Sequence, residues 1–253
     1  MMRMDLNCDV GELPELLADG SQEALLRQVT SANIACGGHA GDAQMMRTTI
    51  QQALRCGVAI GAHPGYEDRA NFGRVELALS HEELAALVHR QLLALAQIAQ
   101  SCKARIGHVK AHGALYNQAA RDRSIARAIA EGVARWRRDV VLVGLAGSAM
   151  LEEFRATGFT VAAEGFADRR YESDGSLRPR KFRDALLHEP AEAATQALRL
   201  ARDASVVAAN GEVIPLKVET ICIHSDTPGA AKIAAAVRHA LLDAEIAVEP
   251  LGT

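Results

Sequence analysis

The sequence predicts an α/β protein: a single-domain (β/α) barrel over residues 1–253, distorted or seven-stranded. Two observations carry this. Short β-favouring runs alternate with helical patterns along the whole chain, and no linker-like stretch separates them. Five of those runs end in His, Asp, Asn or Lys beside a glycine or a turn: DLNCD at 5–9, NIACGGHAGD at 33–42, GAHPG at 61–65, KAHG at 110–113 and CIHSD at 222–226. An open doubly wound sheet collects its site at one switch point. A barrel brings every strand end to one rim, so polar ends spread over the entire chain favour the barrel.

Strand runs are read at 4–8, 32–36, 58–62, 107–112, 140–144, 160–164 and 220–224, with a weak eighth at 246–248. The first alternates cleanly, with Asp5, Asn7 and Asp9 on one face and Met4, Leu6 and Cys8 on the other. Residues 140–144 are continuously apolar up to Gly144, as a parallel strand covered on both sides should be. Ser80-His-Glu-Glu83 is a capping box ahead of a stripe of Leu84, Leu87, Val88, Leu92 and Leu95. Thr227-Pro228 offers an N-cap and a first-turn proline for a helix through Leu242. Gly57 and Gly158 fall where a left-handed residue ends a helix. Asn210-Gly211 between two Val/Ile pairs predicts a small hairpin before the last strong strand. Segments 64–79 and 165–188 are too long for ordinary connections, and both leave the presumed functional rim.

Composition narrows the function. Hydrophobic residues make up 49% and aromatics only 4%, so Ala, Leu, Ile and Val must build the core, including layers inside the barrel. With a net charge of −3 and no long basic block, nucleic acid is not an expected partner. The basic cluster at 135–138 reads as favourable charge at a helix C-terminus. Five scattered cysteines without a C-x-x-C pair argue against a disulfide framework or zinc ribbon, and Cys8, Cys36 and Cys222 read as small buried hydrophobes. No signal or transit segment opens the chain, and no apolar run reaches the roughly 20 residues that span a bilayer. The expectation is a cytoplasmic protein without membrane contact.

Chemistry concentrates at the strand ends. His39, His63, His112 and His224 all fall there, whereas His81, His89 and His239 lie on helices and read as solvent-facing. Asp9 and Glu12 stand near the end of the first strand, and Asn7 shares the face of Asp9. Asp5 could serve only to anchor a neighbouring Arg or Lys. Lys110 and His112 are two residues apart and share one face. A lysine in a strand core needs a partner, either a carboxylate in a structural pair (Asp5 or Glu164) or a substrate group it polarises. Asp42 and Asp226 each precede a helix, so capping competes with site membership. Glu164 closes its strand, and Arg169 in the loop beyond could clamp a carboxylate or phosphate. There is no P-loop, no G-x-G-x-x-G fingerprint and no G-x-S-x-G elbow. His39, His63 and Asp9 are candidates for a divalent metal, although no compact metal motif accompanies them.

Taken together, DLNCDVGE, SANIACGGHAGD, GAHPGY, FGR, HVKAHGALYN, EGFADRRY, DGSLRPR and CIHSD resemble the LamB/YcsF family, covering nearly all of the chain in the expected order. The resemblance implies a distorted barrel like that of carbohydrate deacetylases. It also implies the role of a 5-oxoprolinase A subunit: opening 5-oxo-L-proline to L-glutamate with ATP hydrolysis, in complex with subunits B and C. The family usually has Phe where Gly38 stands, Pro at Glu67 and Ala111, Arg at Val75 and Gly at Ser225. At Val75 an anion-binding arginine is thus replaced, with Arg74 beside it. For that reaction the expected catalytic residues are Asp9, Lys110, His112 and Glu164. Asp9 or Glu164, helped by His112, would activate water; Lys110 and His63 would meet developing negative charge; Arg169 and Asn33 would clamp the substrate carboxylate. Asn7, His39, Asp42, His224 and Asp226 complete the expected binding set. The alternatives are a stand-alone metal-dependent deacetylase or amidohydrolase, and a non-catalytic lactam- or carbohydrate-binding module.

Overall fold

A computed structural model describes residues 2–251. In chain order its strands are β1 (Arg3–Val10), β2 (Ser31–Ala35), β3 (Ala59–His63), β4 (Ile106–Lys110), β5 (Val141–Leu145), β6 (Thr160–Phe166), β7 (Ser205–Val207), β8 (Val213–Pro215), β9 (Thr220–His224) and β10 (Ala247–Val248). The helices are α1 (Pro14–Ala18), α2 (Ser21–Leu26), α3 (Ala43–Cys56), α4 (His81–Ser101), α5 (Gly113–Arg121), α6 (Arg123–Trp136), α7 (Ala149–Ala156), α8 (Pro190–Asp203) and α9 (Ala230–Asp243). Strands β1 to β6 pair in sequence, all parallel. β9 pairs with both β6 and β1, which closes a seven-stranded barrel.

The weak eighth run forms β10, but it does not enter the ring. It pairs only with Arg3 and Met4, where β1 extends beyond its barrel partners. The hairpin appears as β7–β8, turned at Asn210-Gly211, with Gly211 at φ 89°. The capping box forms, with Ser80 and Glu83 exchanging both bonds. Gly57 and Gly158 take the left-handed conformation, at φ 70° and 87°. Helix α9 differs from its expected start. It begins at Ala230 behind a left-handed Gly229, because the Thr227 hydroxyl donates to Asp168 at 2.8 Å instead of capping the helix.

The apolar core lies between strands and helices rather than inside the barrel. Leu6, Ile34, Ile60, Leu142 and Ile221 point outward from their strands against helix residues such as Ile50, Leu92, Leu151 and Ile233. Inside, where aliphatic layers were expected, β1, β2, β4 and β9 carry mostly polar side chains, while β5 and β6 add Val143 and Ala162 on the face of Lys110 and Glu164. At the closed end Asp5 accepts hydrogen bonds from the Thr30, Ser31 and Thr220 hydroxyls, and no Arg or Lys. Above it, Asn7 donates to Glu164 at 3.0 Å and to Thr220 at 2.7 Å, and Asn33 donates to Asn7 and Asp9, both at 2.8 Å. A buried polar group is tolerable only when it is bonded, and each of these supports the next.

Gly61 makes this interior possible. A Cβ on Gly61 would run into the imidazole of His108, whose Nε2 bonds Asn33 Oδ1 at 2.9 Å. Gly61→Ala should therefore destabilise the protein by about 1–3 kcal/mol through overpacking. Urea unfolding with an unchanged m-value is the check; wild-type stability would contradict the packing described.

Candidate functional site

The carboxyl ends of the barrel strands open into a cavity of about 1030 Å³. Asp9, His63, Lys110, His112, Arg169, His224 and Asp226 line it, together with Glu12, Arg74, Tyr116 and Arg180. Asn7, Asn33 and Glu164 lie beneath its floor, and His39 lies behind His63 and His112. Asp42 is elsewhere: it caps α3, accepting from Met45 N–H at 2.8 Å, and faces a separate shallow depression.

Lys110 is the centre of the floor. Its ammonium stands 2.8 Å from Glu164 and 3.0 Å from Asp9, and it donates to Cys222 Sγ at 3.1 Å. Asn7 Oδ1 adds a longer contact at 3.4 Å. Burial alone would lower the lysine's pKa, but the Asp9 and Glu164 carboxylates outweigh it and hold it well above its ordinary value. Lys110 is therefore a fixed positive charge rather than a proton donor at neutral pH. Cys222, expected in the apolar shell, faces the barrel interior, and burial pushes its thiol well up, so it stays protonated.

The two carboxylates beside Lys110 differ in access. Glu164 is fully buried, its oxygens taken by Asn7, Lys110 and the Tyr116 hydroxyl at 2.7 Å. It does not line the cavity and holds Lys110 from below. Asp9 uses Oδ1 for Asn33 and Lys110, leaving Oδ2 at the cavity, 3.5 Å from His63 Nε2. Burial would raise Asp9, yet His63 and Lys110 hold it well below the usual carboxylate range. Burial alone would lower His63, but Asp9 raises it above its ordinary value.

A second cluster adjoins the floor. Glu12, His39, His63 and His112 place one donor atom each within 4.8 Å of one another. His39 stacks on His112 with ring centroids 3.6 Å apart. Glu12 is held well below the usual carboxylate range: burial opposes this, and the His112 and His39 rings beside it prevail. Burial pushes His39 down to about 4, so its ring is neutral. Asp9, expected with His39 and His63 as a metal ligand, falls instead into a group with Cys222 and His224.

Cations ring the mouth. Arg74 and Arg180 both hold Asp226, and Arg74 also lies over the Phe72 ring at 4.8 Å. Arg169 is buried and gives one bond to the Arg178 carbonyl at 2.8 Å, while its Nε has no partner. Burial and the nearby Arg180 lower it to about 10. A buried guanidinium with a spare donor beside a cavity is suited to an anionic ligand.

Several of these residues escaped the sequence reading. His108 lies two residues before Lys110 on the same strand face, and the period of two could have found it. Tyr116 sits in the first turn of α5 and Arg180 in the long 165–188 loop; neither carries a periodic signal.

Comparison with known proteins agrees with this architecture. The LamB/YcsF family model matches residues 4–253. The A subunit of 5-oxoprolinase from Chloroflexus aggregans is 50% identical over 98% of this chain and 98% of its own. The crystal structure of a lactam utilization protein from Thermus thermophilus superposes with a TM-score of 0.91 at 40% identity, covering 99% of this chain and all of that one. A family 4 carbohydrate esterase from Streptomyces lividans, 9% identical, reaches a TM-score of 0.51 over 98% of this chain and 91% of its own, a likeness of fold alone.

Asp168 supplies a pH test. It accepts from the His224 backbone N–H and ring Nδ1, each at 3.0 Å, and from Thr227. Burial would raise it, but His224 and these bonds hold it below its ordinary value. A carboxylate depressed in the folded state contributes stability above its unfolded pKa of about 3.9. That contribution is lost as pH falls through the lower folded value. Asp168→Asn should cost about 2–3 kcal/mol at pH 7, with the gap to wild type narrowing below about pH 4. Urea midpoints across pH 3–7 measure it, and a constant gap would contradict the assignment.

Proposed function

The chain belongs to the LamB/YcsF family, and we propose that it is the A subunit of an ATP-dependent 5-oxoprolinase that opens 5-oxo-L-proline to L-glutamate together with subunits B and C. The observation that carries this reading is one cavity combining a carboxylate with one oxygen turned to it (Asp9), a fixed ammonium (Lys110) and an under-used guanidinium (Arg169). A small cyclic amide bearing a carboxylate matches those three groups.

An unstrained lactam resists water. Transfer of the γ-phosphoryl of ATP to its amide oxygen, with ADP leaving, makes the ring carbon electrophilic. Water held by Asp9 then adds there, and the C–N bond breaks with the nitrogen taking up a proton. A second water releases phosphate from the resulting γ-glutamyl phosphate. A carboxylate as strongly stabilised as Asp9 is a weak base, which is enough once the carbon is activated. Lys110 offers positive charge to the oxygen of the tetrahedral intermediate. Arg169 takes the substrate carboxylate, and Arg74 and Arg180 face the phosphoryl group across the mouth. Glu164, Asn7 and Asn33 position Lys110 and Asp9 from below. His112, His63 and His224 form the remaining wall. With no P-loop in the chain, the partner proteins B and C are assigned the binding of the nucleotide's base and sugar.

A stand-alone metal-dependent amidohydrolase is the second reading, favoured by the Glu12–His39–His63–His112 cluster. Chelator-sensitive hydrolysis by this chain without ATP would support it.

The primary test is turnover of 5-oxoproline with ATP, with and without subunits B and C. ATP-coupled glutamate formation should require all three. Asp9→Asn should lower kcat by roughly 10²–10⁴-fold, while Arg169→Ala should act mainly on KM. Full ATP-coupled activity from this chain alone would refute the partner requirement, and full activity of Asp9→Asn would refute the catalytic role.

A further inference from the structure

The Glu12–His39–His63–His112 cluster presents a problem in hydrogen bonding. His63 Nδ1 is 2.8 Å from the Lys110 carbonyl, and His112 Nε2 is 2.9 Å from the Phe72 carbonyl. A carbonyl only accepts, so each of these ring nitrogens carries a proton. In a neutral imidazole the other nitrogen then bears a lone pair. Those two nitrogens, His63 Nε2 and His112 Nδ1, face each other at 3.0 Å. Glu12 Oε1 is also there, 3.2 Å from His112 Nδ1, 3.7 Å from His63 Nε2 and 3.0 Å from His39 Nε2. Electron pairs from several buried groups thus converge on one point, which calls for a positive charge between them.

We propose that this point is a metal site, formed by Glu12, His63 and His112 and selective for zinc or a similar first-row dication. Zinc–nitrogen and zinc–oxygen bonds of about 2.0–2.1 Å in a tetrahedron set the donor atoms roughly 3.3 Å apart. The three separations among His63 Nε2, His112 Nδ1 and Glu12 Oε1 run from 3.0 to 3.7 Å. Metal-bound histidines characteristically donate their second ring N–H to a carbonyl or carboxylate, as His63 and His112 do here. His39 lies parallel to the His112 ring, so its lone pairs cannot reach the same ion, and it supports the site by bonding Glu12 through Nε2. Two imidazoles and a carboxylate form a donor set suited to zinc.

The neighbouring group of Asp9, Cys222 and His224 has no such need. Lys110 Nζ already lies 3.0 Å from Asp9 and 3.1 Å from Cys222, so a cation is in place. The floor therefore carries two adjacent positive centres, one an ammonium and one a metal ion. Three protein donors leave one tetrahedral position open, and the ion's first effect is to fix the rim formed by β3 and the turns after β1 and β4.

The test uses the full chain, purified without a histidine tag, stripped with chelator, and titrated with ZnCl2 and CoCl2. The expected results are one equivalent of metal per chain by elemental analysis and a melting midpoint raised by about 5–10 °C at a hundredfold excess over Kd. Bound cobalt should show visible absorption of tetrahedral intensity, a readout that needs no variant. His63→Ala and His112→Ala, checked for folding by circular dichroism, should each weaken binding by more than the roughly 10–100-fold typical of an outer-shell partner. Cys222→Ser should bind as wild type does. No stoichiometric uptake, or uptake and a cobalt spectrum unchanged in both histidine variants, would overturn the site and leave a shared proton as the charge between the rings.

Discussion

A lysine ammonium buried inside a barrel is the constraint to which the other interior side chains answer. Lys110 would be costly there alone, since an unpaired charge taken out of water is penalised by several kcal/mol. Its shortest contacts, to Glu164, Asp9 and Cys222, come from strands β6, β1 and β9. Those partners need support in turn. Asn7, Asn33, Tyr116 and His108 supply it, and Thr220 joins the ladder down to Asp5. The result is a hydrogen-bonded ladder through the barrel interior from Asp5 to Lys110, with most of the apolar core at the interface with the helices.

That ladder sets the cavity floor. Each polar side chain in the ladder fixes the one above it, so Asp9 and Lys110 reach the cavity floor with little freedom left to lose. Preorganised charge of this kind stabilises a developing oxyanion without rearrangement at the moment of reaction. The mouth is organised differently. Asp226 gathers Arg74 from the 64–79 loop and Arg180 from the 165–188 loop, so two long loops are tied together over the site by one carboxylate. Strands carry Asp9 and Lys110 while loops carry Arg74 and Arg180, a division that suits the proposed reaction, in which a lactam is held still and a phosphoryl donor enters.

The strand ends were legible in the sequence because a parallel barrel turns chain-wide periodicity into spatial convergence. His63, Lys110, His112 and His224 needed only the alternation of strand faces to be placed near one rim. Asn33 and Glu164 obeyed the same alternation, but sequence could not tell a side chain at the cavity from one a layer below it. Asp42 shows a different limit, since capping a helix and facing a pocket leave the same signature. The polar interior was not foreseen, because aliphatic content counts residues without saying which face of a strand they occupy. Glu12 and His112, rather than Asp9, complete the histidine cluster, and only the path of the chain after β1 and β4 decides that.

A crystal structure of the protein with 5-oxo-L-proline bound most directly tests whether these strand ends form one substrate site. The lactam should sit on the barrel floor, its amide within hydrogen-bonding distance of Asp9 or Lys110 and its carboxylate toward Arg169. Density for the ligand only outside this cavity, for instance in the depression beside Asp42, would contradict the account.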